Sequence, residues 1–508
     1  MKKKPTAQTA PIIVYQPALR PALPCIYGSV DFHDYCDRLK VIDLMLVEGG
    51  VEGEFIRLAM AEAPAQWAEA SATDLQRFAR MSVLALRCNV ARLLTGESFR
   101  DFAVRVAESS VLQWFLRIGE VDRVKVPAKS TLERFSKWVP VEKMRQVHRK
   151  LVSQATAPAG PTAPQPLGLT EAVDAAEVFF DSTCLKANIH FPVDWVLLRD
   201  ATRTLMKATV IIRREGLKQR MPQDPLGFLS DMNKLTMAMS AGSRPADSKK
   251  RRKGVLRQMK ALQKKVTAHA QAHRDLLEQY WRETALSEKQ ARVILDRIDH
   301  VLTQLPAAIA QAHERIIGGR PVPNEEKILS LYEPEVEVLK RGKAGAAVEF
   351  GNKLWLGETR AGLIVDYKLL EEAEADSALV IPAVKRLRGQ MKLEVKQAWG
   401  DRGLASQKNE KALAKLGVKS GLCPRNPAEL QRRLAEDESF RAGLRRRGAT
   451  EPRIAIFKAC FTGNPCRAKG IAARQLAVSW AVLAHNLWVL ARLKLAQDRQ
   501  ALEAAQAA

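Results

Sequence analysis

Val348-Glu349-Phe350-Gly351-Asn352-Lys353-Leu354-Trp355-Leu356-Gly357-Glu358-Thr359-Arg360-Ala361-Gly362-Leu363-Ile364-Val365-Asp366-Tyr367 is the stretch that decides between an all-helical and an α/β reading. Val348, Phe350, Leu354 and Leu356 fall on alternate positions, the period of a strand with one buried face. A turn fits between Gly357 and Gly362, and Leu363 to Tyr367 reads as a second strand. Downstream, Asp376 is placed to cap a helix carrying Leu379, Val380, Val384 and Leu387. The run Val395 to Trp399 delivers Asp401, Ser406 opens a helix that ends at Gly417, and Val418 to Cys423 forms a further strand. Upstream, residues 176 to 181 make an apolar strand ending in Asp181. Strands alternating with helices predict an α/β fold with a mixed sheet.

Outward from this core the chain turns helical. Beyond Trp195 the pattern is helical for well over a hundred residues, with Val255, Met259, Leu262 and Val266 spaced as a packed seam. Residues 31 to 153 also read as helices. Ser98 and Asp101 mark one start, and a second helix runs near Val111 to Ile118 with Gly119 to stop it. Ser130 and Glu133 form a capping box for a third, beginning at about Thr131. Two short helices feeding a capped basic helix are helix-turn-helix-like, a pattern that a plain bundle also produces. Residues 154 to 168 have linker composition, rich in Pro and Ala. The expected divisions are a basic tail (1–30), a helical DNA-binding domain (31–153), a linker (154–172), the first part of the core (173–195), a basic helical insertion (196–345), and the rest of the core with a C-terminal helix (346–508).

The chain is strongly basic, with 81 Lys and Arg against 56 Asp and Glu and a formal charge of +25 over 508 residues. A polyanion is the natural partner of such an excess. The run Lys249-Lys250-Arg251-Arg252-Lys253 concentrates it on the helical insertion. Seven scattered cysteines with no CxxC pair support neither a disulfide framework nor a zinc site, and fit reduced thiols. No apolar run follows Met1-Lys2-Lys3-Lys4-Pro5, which predicts no signal peptide. Leu476 to Leu490, the most apolar stretch, reads as too short to span a bilayer. The expectation is a cytoplasmic protein. No Gly-rich nucleotide loop is present, so no nucleotide cofactor is expected.

Three acids stand in distinctive contexts: Phe179-Phe180-Asp181-Ser182-Thr183, Trp399-Gly400-Asp401-Arg402-Gly403, and Arg447-x3-Glu451-x6-Lys458. Two sit at the ends of strand-like runs and one on a helix between two cations. Two hard divalent metals need oxygen ligands, and carboxylates also offset their charge. Asp, Asp and Glu held in this way form a cage of the kind that cuts and joins nucleic acid.

These motifs resemble those of the DDE transposases of bacterial insertion sequences, which have an RNase H-like core. Asp181-Ser182-Thr183 and Asp401-Arg402-Gly403 match the first two motifs of that group, and Arg447, Glu451 and Lys458 match the spacing of the third. The resemblance extends over Val348 to Leu370, Ser406 to Arg425 and the helix around Leu483 to Leu487, and takes in Leu94 to Trp138 upstream. Three departures are visible. Leu444 stands where the third motif has a tyrosine, Leu404 where an aromatic is common, and Pro452 directly follows Glu451. Glu436, Asp437 and Glu438 are rival third acids that lack the Arg and Lys spacing.

The resemblance implies an RNase H-like catalytic core interrupted by the long helical insertion. It implies that Asp181, Asp401 and Glu451 hold two Mg²⁺ ions, with Mn²⁺ as a substitute. Element ends would be cut, and the 3′-hydroxyl joined to target DNA, by a homodimer on double-stranded DNA associated with the nucleoid. DNA-contact candidates are Arg447, Lys458, Arg402, Arg445, Arg446, Lys125, Lys129, Arg134 and Lys249 to Lys253 (Lys249, Lys250, Arg251, Arg252, Lys253). Two alternatives stand beside this: a nuclease of the same core without strand transfer, and a non-catalytic DNA-binding derivative. Other residues read as structural. His269 and His273 have no third ligand and read as a solvent-facing helix. His485 and Asn486 read as hydrogen-bonded packing residues, Trp195, Trp355 and Trp399 as core, and Cys460 and Cys466 as unrelated thiols.

Overall fold

The computed structural model describes residues 23, 27–67, 69–119, 123–160, 164–241, 245–343 and 346–507; most of the expected basic tail, 1–30, lies outside them. The fold is mixed α/β. Six strands form one sheet: β1 (Glu177–Lys186), β2 (Glu337–Lys343), β3 (Ala346–Thr359), β4 (Ile364–Leu369), β5 (Gln397–Gly400) and β6 (Lys419–Leu422). Their order is β2-β3-β1-β5-β6, and β4 also pairs with β3. β5 runs parallel to both β1 and β6, whereas β3 is antiparallel to β2 and β4. The long strand β3 meets β2 along its first half and β4 along its second.

The strands expected around Val348 to Tyr367, at Val395 to Trp399 and at Val418 to Cys423 are all present. β1 runs further than expected, so Asp181 lies within the strand and not at its end. Helix signals held at Ser98, whose hydroxyl accepts the Asp101 amide, and at Ser406, which accepts that of Asn409. They failed at three places. Arg117 in the left-handed region, not Gly119, closes Ser110–Leu116. Ser130 caps nothing: the helix starts one residue before it, at Lys129, and Glu133 pairs with Lys129 at 3.1 Å instead. Asp376 sits inside its helix, Asp376–Gly389, and its carboxylate takes hydrogen bonds from Lys353 and Ser182.

Two compact units emerge: Met1–Leu185 with Lys353–Ala508, and Lys186–Asn352. In the first, the N-terminal helices and the sheet share one hydrophobic core, so the Pro/Ala-rich stretch does not separate two units. The long helix Ile471–Ala507 is its centre. Trp480 packs on Phe55 and donates to the Ser136 carbonyl at 3.0 Å. Asn486 clasps both backbone groups of Ile364 at 2.9 and 2.7 Å, so it and His485 are packing residues. This helix is long and apolar enough to cross a membrane, contrary to expectation, but 67% of its apolar window is buried in protein, the mark of a core helix. Within the N-terminal helices, the buried Arg87 is held by Asp43 and Glu52, both at 2.6 Å.

The second unit is built on four helices, Asp194–Arg214, Pro225–Ser240, Pro245–Tyr280 and Glu288–Ala312. Its core includes Val255, Met259 and Val266 as the seam spacing predicts. His273 is buried, not solvent-facing: its ring bonds the His269 carbonyl at 2.7 Å and Arg213 at 3.2 Å.

Candidate active site

Side chains alternate across a strand, so Phe179, Asp181 and Thr183 share one face of β1 and Phe180 and Ser182 the other. The contacts follow that division. Phe180 stacks on Trp355, and Ser182 donates to Asp376 at 2.9 Å. On the opposite face each residue meets a cation from the segment Arg446 to Lys458, in or beside the third motif. Arg446 lies over the Phe179 ring at 4.5 Å, Arg447 Nη2 stands 3.5 Å from Asp181, and Lys458 Nζ donates to Thr183 Oγ1 at 3.1 Å.

Asp401 arrives from the neighbouring strand. It follows β5, whose Trp399 pairs in register with Phe179 and stacks on it at 5.8 Å. Its Oδ1 accepts the Leu404 amide at 3.1 Å, which fixes the carboxylate in a tight turn. The same Arg447 Nη2 reaches Asp401 at 3.9 Å, so the two carboxylates face each other across one guanidinium. Arg447 ends the helix Glu438–Arg447, which seats on Trp399 through Gly443. A Cβ there would fall 1.9 Å from the indole, so no larger residue fits that contact. Glu451 is the second residue of the next helix, Thr450–Ile456, with Pro452 in its first turn as the sequence suggests.

The electrostatics at Asp181 reflect its burial and its charged neighbours. Burial pushes the Asp181 carboxyl up to about 6; Arg447 and the Ser182 amide oppose that, and the charges of Asp401 and Glu451 add to it. Asp181 therefore feels the charge of both other acids. Among the described residues no group of three or more His, Cys, Asp and Glu is gathered tightly enough to ligate an ion, and Arg447 lies between Asp181 and Asp401. The donor set suits a hard divalent cation nonetheless. It is all oxygen, it carries excess negative charge, and its resident counter-ion sits at ion-pair distances with a buried Nε that has no acceptor.

The other candidates divide by their surroundings. Lys458 also donates to the Cys184 carbonyl at 3.1 Å, so it braces β1. Arg446 is committed to Glu358 at 3.0 Å and to the Thr359 and Arg360 carbonyls. Arg402, Arg445, Lys125, Lys129 and Arg134 are exposed. Of the basic run, Lys249 and Lys250 are exposed and Lys253 is half-buried, while Arg251 bonds the Ala241 carbonyl and Arg252 covers Trp195. Two of the three rival acids are engaged elsewhere, and Glu438 is exposed at the start of its helix. Asp437 caps a helix and pairs with Lys419 at 3.1 Å, and Glu436 pairs with Arg432 at 3.6 Å.

Sequence reasoning missed Glu358, which is buried and surrounded by arginines. The signal was there: Glu358 continues the even-numbered run of Leu354 and Leu356, and a carboxylate on a buried face needs cations. No protein-family model matches this chain, and neither a curated protein nor a solved structure matches it.

Proposed function

We propose that this chain is a metal-dependent DNA transposase with an RNase H-like core. The observation that carries the reading is the convergence on one face of β1. Central strand β1 bears Asp181, Asp401 follows the adjacent parallel strand β5 and faces it across Arg447, and the charge of Glu451, on the helix after Arg447, is felt at Asp181. The excess of positive charge supports a nucleic-acid substrate.

On this reading Asp181, Asp401 and Glu451 hold divalent metal, with Mg²⁺ the fitting ion. The chemistry supplied there is activation of water or a sugar hydroxyl and charge stabilisation on the leaving oxygen. The chain's own groups do the rest. Asp181 is rigid because β1 is paired on both sides and Lys458 ties down Thr183 and Cys184 further along the strand. Arg447 neutralises Asp181 and Asp401 in the metal-free protein, and its guanidinium is then placed to bind a phosphate beside them. The protein would act in the cytoplasm on double-stranded DNA, pairing two element ends as a homodimer.

The test uses duplexes taken from the DNA that flanks the coding sequence. Pre-cut ends incubated with Mg²⁺, plasmid and protein should become joined to the plasmid. Joining should need a free 3′-hydroxyl and fail with a dideoxy end. Asp401→Ala should abolish joining while DNA binding persists. Nicking without joining under any metal condition would replace this reading with the nuclease. Asp401→Ala protein that joins ends normally would sink the triad.

A further inference from the structure

Two of the site residues, Arg447 and Glu451, lie on separate short helices joined by a turn at Gly448 and Ala449. Neither is on the sheet, yet both must be held to the face of β1. The residues next to them explain how. Arg446, the neighbour of Arg447, donates to Glu358 Oε1 at 3.0 Å, and Thr450, the neighbour of Glu451, donates to the same oxygen at 2.9 Å. Arg453, two residues beyond Glu451, stands 3.7 Å from the other oxygen, Oε2. Glu358 lies on β3, beside β1, and is only 5% exposed.

We propose that Glu358 is a positioning residue, a buried carboxylate that docks both helices of the third motif on the sheet. The inference rests on the reading above only in taking Glu451 as the third acid. Its physical basis is independent. One buried anion meets two guanidiniums and a hydroxyl, and without it those cations would lie together against the sheet with no counter-charge. The Arg446 guanidinium also donates to the Thr359 and Arg360 carbonyls at 2.9 and 2.8 Å, so the clamp ties this side chain to the strand backbone across 87 and 86 residues of sequence. The strand register shifts between Gly357 and Glu358, and this irregularity falls at the clamp residue itself. Glu358 touches no reacting atom; it acts through the placement of Glu451 and Arg447.

The test is Glu358→Gln in the full chain, with Glu358→Asp and Thr450→Val beside it. Mn²⁺ binding is read by electron paramagnetic resonance, and backbone mobility by hydrogen exchange. Glu358→Gln should weaken Mn²⁺ binding about 10- to 100-fold, the usual effect of losing a residue that orients a ligand. Amides of Thr450–Ile456 should exchange faster while those of Ile471–Ala507 do not. Glu358→Asp should recover part of both effects, since it restores the charge. Should Glu358→Gln fail to fold, Thr450→Val, which removes one bond of the clamp, should show the same two effects more weakly. Wild-type Mn²⁺ affinity and unchanged exchange in a folded Glu358→Gln protein would overturn the proposal, as would a fall in melting temperature with both readouts unmoved. Absence of Mn²⁺ binding in the wild type would instead sink the metal-site reading, and hydrogen exchange alone would then decide the clamp.

Discussion

Asp181 is half-buried, and burial works against its charge more strongly than Arg447 relieves it. Its folded pKa of about 6 lies above the 3.8 of the free side chain, so the folded state binds the proton more tightly. The cost to stability is then full above pH 6, shrinks as pH falls, and is gone below 3.8. Asp181→Asn, measured without metal, should therefore raise the melting temperature at pH 8 and have little effect at pH 3.5. The gain at high pH is on the order of 2–3 kcal/mol, from about two pKa units. A variant no more stable than wild type at pH 8 would show that Arg447 fully compensates the carboxylate. The same residue should be required for DNA joining, so stability and activity oppose each other at this position.

Among the elements, the helix Glu438–Arg447 depends on the closest approach in the site, Gly443 against Trp399. Gly443→Ala should destabilise the protein by about 1–3 kcal/mol, as overpacking does, and displace Arg447 with its helix. Chemical denaturation would measure the loss; an unchanged midpoint would mean the helix shifts freely. Strand β2 (Glu337–Lys343) falls inside the stretch expected to be a helical insertion, 196–345, whereas the other five of the six strands were legible in the sequence because strand periodicity is local. Val348 to Tyr367 shows this well, with alternation, a turn and a second strand in twenty residues. What was hidden depended on distant partners. Ser130 looks like a cap, but nothing local reveals that the helix begins earlier and that Lys129 takes up Glu133. Arg446 and Arg447 look alike in sequence. Only the fold shows that one lies over Phe179 with Glu358 while the other bridges Asp181 and Asp401. The N-terminal helices carried the right periodicity, and the sheet they cover lies hundreds of residues away.

For the whole molecule the charge excess predicts DNA affinity that falls steeply with salt, since counterion release drives association. Structure refines where that charge is available. Lys249 and Lys250 are exposed, whereas Arg251 and Arg252 turn back onto their own unit. Neutralising Lys249 and Lys250 together should flatten the slope of log affinity against log salt by about two. Adding Arg251→Gln and Arg252→Gln should flatten it little further. Equal steps for all four would mean that the arginines leave their contacts to reach phosphate.

The unit Lys186–Asn352 enters the chain at the end of β1 and leaves it within β3, and these strands are neighbours. Near the crossing, Ala187 donates to the Phe350 carbonyl at 3.0 Å. Entry and exit are thus a strand spacing apart, about 5 Å. The four helices all lie between entry and exit, and closing a longer loop costs little more than closing a short one. The unit is a cassette. Its four helices can lengthen or be traded without moving Asp181, Asp401 or Glu451, so the segment that carries Lys249 and Lys250 can diversify while the three acids stay fixed.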